Sequence, residues 1–455
     1  MSYCCFGFFT YSQILVTWRT SGLKWGGATV RRRFTMFFLS VVAAGAVLML
    51  AACGSGPVKI TFTTLGNGDP EAKAFDAIFA AYAKKSGNSV QQQILPDVNE
   101  YENIIKTRFA TNDPPDIFYF FTGPNEYTTL QATKNLMDFS KEEFLKNLST
   151  AVRDFYTVDG KIYGIPWGTY NAMGVLYNKD VFAKVGVQPP KNYADFLAIC
   201  DKIKKAGITP IYDAGKTGWP VQIFSLAGFQ TFVLPTIGGA DGVNKLGSNQ
   251  LKITDIPAIK DVFKRQYELK TKGYLNKDFA AGTYDLQQEE LATGKAAMAF
   301  QADWMLPSIA AKYPDAVDKI GFFSLPSDTD AGLPSLYPPK QIMISRNGKH
   351  PTVALDLLRF MTTADSLQMW YAGNPGIPVY TNVQTKLFAA QQDIFDLIKA
   401  GKGAINIQLL LPSGYVPDYD KVTQQFMMTG DVDKTVQGMD AAYEQQGKDK
   451  KIPGF

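Results

Sequence analysis

The six residues Asp116-Ile117-Phe118-Tyr119-Phe120-Phe121 constrain this chain more than any others. Beyond the aspartate, only the Tyr119 hydroxyl is polar, so the segment has no face to offer water. A strand that is apolar on both faces belongs in the middle of a parallel sheet covered by helices on each side. The residues before it read as the rest of such a sheet. Val58 to Thr64 alternates with the period of a strand, and Gly66-Asn67-Gly68-Asp69-Pro70 breaks it. Phe75, Ile78, Phe79 and Tyr82 then recur at helical spacing. Val90 to Leu95 reads as a second strand. Tyr101 to Thr111 reads as a helix with Ile104, Ile105 and Phe109 inward, stopped by Asp113-Pro114-Pro115. This β-α-β-α-β order predicts a doubly wound α/β sheet. Ligands bind such sheets beyond the carboxyl ends of the strands, which here carry Asn67, Asp69, Thr122, Gly123 and Asn125.

Further along, Asp159-Gly160 between short apolar runs predicts a tight hairpin turn, and Met173 to Asn178 reads as a strand. Asn192 stands as N-cap of a helix, with Asp195 three residues on. The apolar stripe of that helix is Phe196, Leu197, Cys200 and Ile203, so Cys200 is expected as a core filler. Thr352 to Thr362 reads as an amphipathic helix burying Ala354, Leu357, Leu358 and Met361. Asp433 to Gln446 is helical with polar faces, and Trp370 is expected in the core beside Leu367.

The N-terminal region follows other rules. Arg31 to Arg33 precede an apolar run from Met36 to Ala52 that ends Leu50-Ala51-Ala52-Cys53. A basic cluster, an apolar stretch and small residues at a cut site form the layout of a secretory signal. The terminal cysteine resembles a lipobox, in which the thiol takes a diacylglycerol and the chain is cut before it. Met1 to Val30 fits no part of that layout, and translation is expected to start at Val30. Residues 1–52 are therefore set aside as signal region and 53–57 as a lipid-anchored tether. Five of the 46 basic residues precede Cys53 and none of the 42 acidic ones does, which leaves 41 against 42 and a net charge of −1. No basic field remains for nucleic acid. The 403 residues from Cys53 onward exceed what one core usually holds, so two domains are expected. His350 is the only histidine and sits in a polar turn, so neither a Ser-His dyad nor a multi-histidine zinc site is expected. No cofactor or metal is implied.

The runs Gly160-Lys161-Ile162-Tyr163-Gly164-Ile165-Pro166, Leu176-Tyr177-Asn178-Lys179-Asp180-Val181-Phe182 and Pro189-Pro190-Lys191-Asn192-Tyr193-Ala194-Asp195-Phe196 resemble family 1 extracellular solute-binding proteins. These are the sugar-binding lipoproteins of ABC importers, related to the maltose-binding protein. Gly294-Lys295-Ala296-Ala297-Met298 with Gln301-Ala302-Asp303-Trp304, then Phe322-Phe323-Ser324-Leu325-Pro326, then Ala354 to Thr362 continue the likeness in order over nearly all of the mature chain. The resemblance implies two doubly wound α/β lobes, a ligand cleft and a crossover hinge, the type II periplasmic-binding fold. It places residues 58–168 and 320–370 in the first lobe and 169–319 and 371–455 in the second. It implies a monomer without enzymatic activity that captures a sugar or oligosaccharide by lobe closure. Its partners would be the membrane, through Cys53, and an ABC permease.

By family position the site residues are Asn67, Asp69, Thr122, Gly123, Asn125, Tyr170, Asn171, Trp219, Asp303, Trp304, Tyr337, Lys340, Asn374, Tyr415 and Tyr419. Aromatics suit the apolar faces of a sugar, and forked or charged groups suit its hydroxyls. Two features depart from the family pattern. Ala302-Asp303 replaces a glycine before the tryptophan, and Asn171 stands where a glutamate is common. Asp69 could instead cap the first helix with Pro70 at its start, and Trp167 could pack under the hinge. Two alternatives stay open: a receptor of the same fold for a polyamine, metal or phosphorylated glycerol, and an anchored glycosidase with two carboxylates.

Overall fold

In a computed structural model, β1 (Lys59–Leu65) pairs in parallel with β2 (Ser89–Leu95) and with β3 (Ile117–Phe120). The structure describes residues 56–66, 69–95, 98–412 and 414–455. The signal region, Cys53 and Asn67 lie outside these, as does the side chain of Asp69. Beyond β3 the sheet continues antiparallel, with β10 (Gln341–Ile344) and then β4 (Ile165–Pro166), giving the order β2-β1-β3-β10-β4. Side chains of a strand alternate between faces, and both faces of β3 are apolar and buried. Ile60, Phe62, Ile117 and Tyr119 pack with Phe75, Ile78 and Phe79 of the helix Asp69–Ser86 and with Leu357 and Trp370. Phe118, Phe120 and Met343 pack on the other side with Tyr101 and Ile105 of the helix Val98–Ala110. The doubly covered sheet expected from the apolar strand is present.

The second sheet is built around β5 (Thr169–Asn178). It lies antiparallel to β7 (Ala296–Ala302) on one side, and to β8 (Ile320–Phe323) and β9 (Ser335–Tyr337) on the other. β6 (Thr209–Ile211) extends the sheet beyond β7, β12 (Ala404–Ile405) extends it beyond β9, and β11 (Ile377–Pro378) pairs with the start of β5. Its two faces carry the two remaining cores. One contains the run Trp219–Ile237, which is long and apolar enough to cross a membrane but is 67% buried inside the protein. The fold is a two-sheet α/β fold of the type II periplasmic-binding class.

The return to the first sheet comes later than the sequence suggests. β8 and β9, expected in the first lobe, hydrogen-bond to β5 in the second, and the chain re-enters the first sheet at β10. An apolar strand reads the same whichever sheet receives it, so periodicity could not place this boundary. The first core also reaches past Trp370, since Val379 and Tyr380 belong to it. Local signals fared better. Val158 and Lys161 exchange both backbone hydrogen bonds around Asp159 (φ 49°) and Gly160 (φ 71°), the left-handed pair of a tight hairpin. Asn192 caps its helix by accepting from the Asp195 N–H at 2.9 Å.

The chain crosses between sheets at Trp167-Gly168 and again at Pro338-Pro339-Lys340. Four buried tyrosine hydroxyls hold the carbonyls there. Tyr119 donates to Trp167 O (2.8 Å), Tyr371 to Gly168 O (2.6 Å), Tyr380 to Pro166 O (2.7 Å) and Tyr156 to Pro339 O. Burial pushes all four phenols up, so they stay protonated donors. Gly168 has φ 116°, and a Cβ there would stand 3.5 Å from the Tyr119 hydroxyl and 3.6 Å from Pro339 Cβ. Tyr380→Phe leaves the buried Pro166 carbonyl unpaired, and stability should fall by about 1–3 kcal/mol. A urea-unfolding midpoint unchanged from wild type would contradict that role.

Candidate functional site

Four half-buried aromatic side chains of the second sheet and its helices form a continuous row. Gly218, at φ 83°, turns the chain into the short helical segment Trp219–Val221. The Trp219 ring lies 4.9 Å from that of Tyr284 and 6.3 Å from that of Trp304. Trp304 follows the carboxyl end of β7 and meets Tyr337 of β9 edge-on at 5.8 Å. Half-burial matters here: the largest fully buried rings, Trp167 and Trp370, are core, whereas the row keeps surface for a partner. A chain of buried amides sets the Trp304 ring. Trp304 Nε1 donates to Gln301 Oε1 (3.0 Å), Gln301 Nε2 to Gln287 Oε1 (3.0 Å), and Gln287 Nε2 to Tyr212 O (2.9 Å).

The first lobe contributes charge. Glu71, in the first turn of the helix after β1, has Oε2 buried without a hydrogen-bond partner. Its field reaches Tyr119, Lys340 and, in the second lobe, Tyr284. Lys340, on the second crossover, places its ammonium 5.2 Å from the Tyr119 ring centroid. Burial pulls this lysine down and Glu71 opposes the shift. Among the described residues, neither Glu71 nor Lys340 makes an ion pair within 4 Å. Two unlike groups that feel each other without pairing leave acceptor and donor capacity for a bound molecule.

The other expected site residues sort by their partners. Thr122 Oγ1 donates to Pro338 O at 3.1 Å, and the Gly123 carbonyl accepts from Gln341 Nε2 at 2.8 Å. Asn125 donates to Glu126 Oε1 at 2.9 Å and keeps a buried Oδ1 without a partner. Tyr170 is half-buried against the cores of both sheets, which pushes its hydroxyl up to about 12. Asn171 is turned onto its own strand, bonding the Thr169 carbonyl at 2.7 Å. Asn374 bonds the Pro70 and Trp370 carbonyls at 3.2 Å each and ties two helices together. Tyr419 is buried with its hydroxyl on Ser225 Oγ (2.7 Å), and Tyr415 packs between it and Phe229. Asp303, expected to meet ligand hydroxyls, is fully buried. It accepts from the Ala172 N–H (2.9 Å) and Gln391 Nε2 (3.4 Å), locking the end of β7 to the start of β5.

Glu71 and Tyr284 were missed in the sequence. Glu71 stands two residues beyond Asp69 in a helix start, where a capping role reads equally well. Tyr284 gives no local signal, because only the fold brings it to Trp219. A groove of about 680 Å³ lies apart from the row, between the helices Leu306–Lys312 and Ala364–Gly373, and none of the four aromatics lines it. Among the described residues, no group of three or more His, Cys, Asp or Glu side chains is placed to hold a metal.

The family model described as "Bacterial extracellular solute-binding protein" matches residues 77–396. The multiple sugar-binding protein of Streptococcus mutans is 27% identical over 287 residues, an alignment spanning 62% of this chain and 66% of that relative. An uncharacterized ABC transporter extracellular-binding protein of Pyrococcus horikoshii is 24% identical over 434 residues, spanning 87% and 91%. Among solved structures, the solute-binding protein RafE in complex with raffinose superposes with a TM-score of 0.70 at 22% identity, covering 85% of this chain and 99% of its own.

Asp303 allows a direct test of the lock between β7 and β5. Burial pushes its carboxyl up to about 7, against the Ala172 and Gln391 hydrogen bonds. The native state therefore favours the neutral form. That contribution is complete below about pH 4 and is lost as pH rises through about 7. Between pH 5 and pH 8 the wild-type melting temperature should fall more than that of Asp303→Asn. Parallel pH profiles of the two proteins would rule this out.

Proposed function

Because this chain belongs to the bacterial extracellular solute-binding proteins, we propose that it is the sugar receptor of an ABC importer. In this reading it captures a neutral sugar or oligosaccharide outside the cytoplasm and presents it to a membrane permease. The observation that carries the reading is the aromatic row Tyr284-Trp219-Trp304-Tyr337 set against Glu71 and Lys340. Sugar rings offer apolar C–H faces that lie on aromatic rings, and hydroxyls that donate to a carboxylate and accept from an ammonium. A row of four rings suits a ligand of more than one sugar ring. The relatives support the class: one is named for binding multiple sugars, and one solved structure of the same fold holds raffinose. The family and these neighbours are binding proteins. A polyamine would call for several carboxylates; among the described residues the acidic groups acting on Tyr284 are Glu71 and Asp285, and Asp285 is already paired with Lys312 at 2.8 Å. A phosphorylated solute would call for arginine, and among the described residues the cation beside Tyr119 is a lysine, Lys340.

The finer parts of the proposal concern the anchor and the assembly. Cys53, at the end of the apolar run, carries the lipid that holds a monomeric receptor at the outer face of a membrane. More than one acyl chain makes such anchoring stable.

Raffinose, stachyose and chitin oligosaccharides form the starting panel for a thermal-shift screen. A ligand at a hundredfold excess over its Kd adds about 2.7 kcal/mol of stability, a rise of a few degrees. Shifts with polyamines or glycerol phosphates alone would overturn the sugar reading. With the sugar identified, Glu71→Gln and Lys340→Met should each weaken binding by about tenfold or more, the scale of a hydrogen bond to a charged group. Trp304→Ala should do the same without lowering cooperative unfolding, and titration calorimetry reads both. Cys53→Ala should abolish labelling by radioactive palmitate and leave an uncut precursor. A labelled mutant would remove Cys53 from the account.

A further inference from the structure

Lys450 follows the C-terminal helix Val432–Asp449, whose Val436, Met439 and Tyr443 belong to the second-sheet core. Its ammonium nevertheless donates to Thr129 Oγ1 of the first lobe at 2.9 Å. Thr129 ends the short helix Asn125–Thr129, which also carries Glu126. Two other second-lobe groups approach the same turn. Leu409 Cδ2 lies 3.6 Å from where a Cβ on Gly123 would stand, and a Cβ on Gly414 would lie 3.4 Å from Asn125 Nδ2. The two lobes thus meet here by a contact that no crossover strand supplies.

Glu126 sits in that seam. Its carboxyl is buried, with Oε1 accepting from Asn125 Nδ2 at 2.9 Å and Oε2 without a partner. The charged and titratable groups around it come from three other elements. They are Glu102 and Lys106 of the helix Val98–Ala110, Tyr337 of β9, and Lys450. Burial first, and then the Glu102 carboxylate, push Glu126 up to about 8. Lys450, the nearby Thr129 hydroxyl and the Asn125 hydrogen bond oppose the shift without cancelling it. The attraction of Lys450 is therefore the smaller effect, and the buried seam favours a neutral Glu126.

We propose that Lys450, Thr129 and Glu126 form a proton-operated clasp between the two lobes, tightened when Glu126 takes up a proton. Opening withdraws Lys450, Leu409 and Gly414 and lets water reach the carboxyl, which then returns toward the ordinary value of about 4.3. Closure consequently takes up a proton between about pH 4 and about pH 8. The clasp is fully effective below that window and weakens as pH rises through it. One proton limits the effect to about tenfold in the closed-to-open ratio per pH unit. The clasp does not depend on which solute occupies the cleft, and it favours the closed form in acidic surroundings.

Amide hydrogen exchange of the full-length protein without added solute, at pH 5.5 and pH 8.5 and corrected for intrinsic rates, tests this. In wild type, protection of residues 122–130, 405–416 and 443–450 should fall together by about tenfold or more at the higher pH. Glu126→Gln should keep all three segments protected at both values. Lys450→Met should expose all three at both values, and Thr129→Val, which spares every charge, should resemble it. Wild-type protection that is equal at both pH values overturns the proposal. A loss confined to residues 122–130 also overturns it, since Glu126 would then act within the first lobe alone.

Discussion

Four tyrosine hydroxyls at the crossover govern how the two lobes are joined. The strands that pass between the sheets contain Pro166, Pro338 and Pro339, which have no N–H to give a ladder, while their carbonyls and those of Trp167 and Gly168 still need donors. Tyr119, Tyr156, Tyr371 and Tyr380, all of the first core, supply four of them, and the Thr122 hydroxyl supplies the fifth, on Pro338. Unpaired carbonyls in this buried region would each cost about as much as a lost hydrogen bond. The phenols therefore fix where the chain leaves one sheet for the other, and with it the position of Lys340 beside Tyr119. The same rings pack into the first core around Phe75, Trp167 and Trp370, so the crossover geometry and the core of that lobe are one unit.

On the opposite side the aromatic row is held with similar economy. Trp304 would be a mobile ring at the end of a strand without the Gln301–Gln287–Tyr212 relay beneath it. Asp303 beside it spends both carboxylate oxygens on β5 and Gln391. An acidic residue adjacent to a half-buried ring serves here as a brace, and in the proposed receptor the charge for ligand hydroxyls comes from the first lobe through Glu71. With rings on one lobe and charge on the other, neither wall alone would offer a complete site for the proposed sugar.

Much of the architecture was legible in the chain. The apolar strand Ile117–Phe120 demanded cover on both faces, and the alternation before it ordered the parallel strands. The Asp159-Gly160 turn and the Asn192 cap followed from local chemistry. Trp219, Trp304 and Tyr337 were placed by resemblance, and the structure brings their rings into one row. What could not be read was allegiance between lobes. β8 and β9 are apolar strands that suit either sheet, and their pairing with β5 is a matter of register. Nor could polarity show direction. Asn374, Asn171, Asp303 and Tyr419 have the chemistry of ligand groups, yet each turns inward to satisfy a backbone or side-chain neighbour. Glu71 and Tyr284 lie far apart in sequence and acquire meaning only when the lobes face each other.

A hinge placed at this crossover, clamped by proline and phenol, would have a mechanical consequence. Bending confined to a short stiff segment makes each lobe a lever, so a misfit at the cleft is multiplied with distance from the crossover. A solute one hydroxyl too bulky would hold the rings and Glu71 apart by a fraction of an ångström, while the far rims of the two lobes would gape several times wider. The outer surface would then act as the pointer of a caliper, displaying the girth of whatever lies between its jaws.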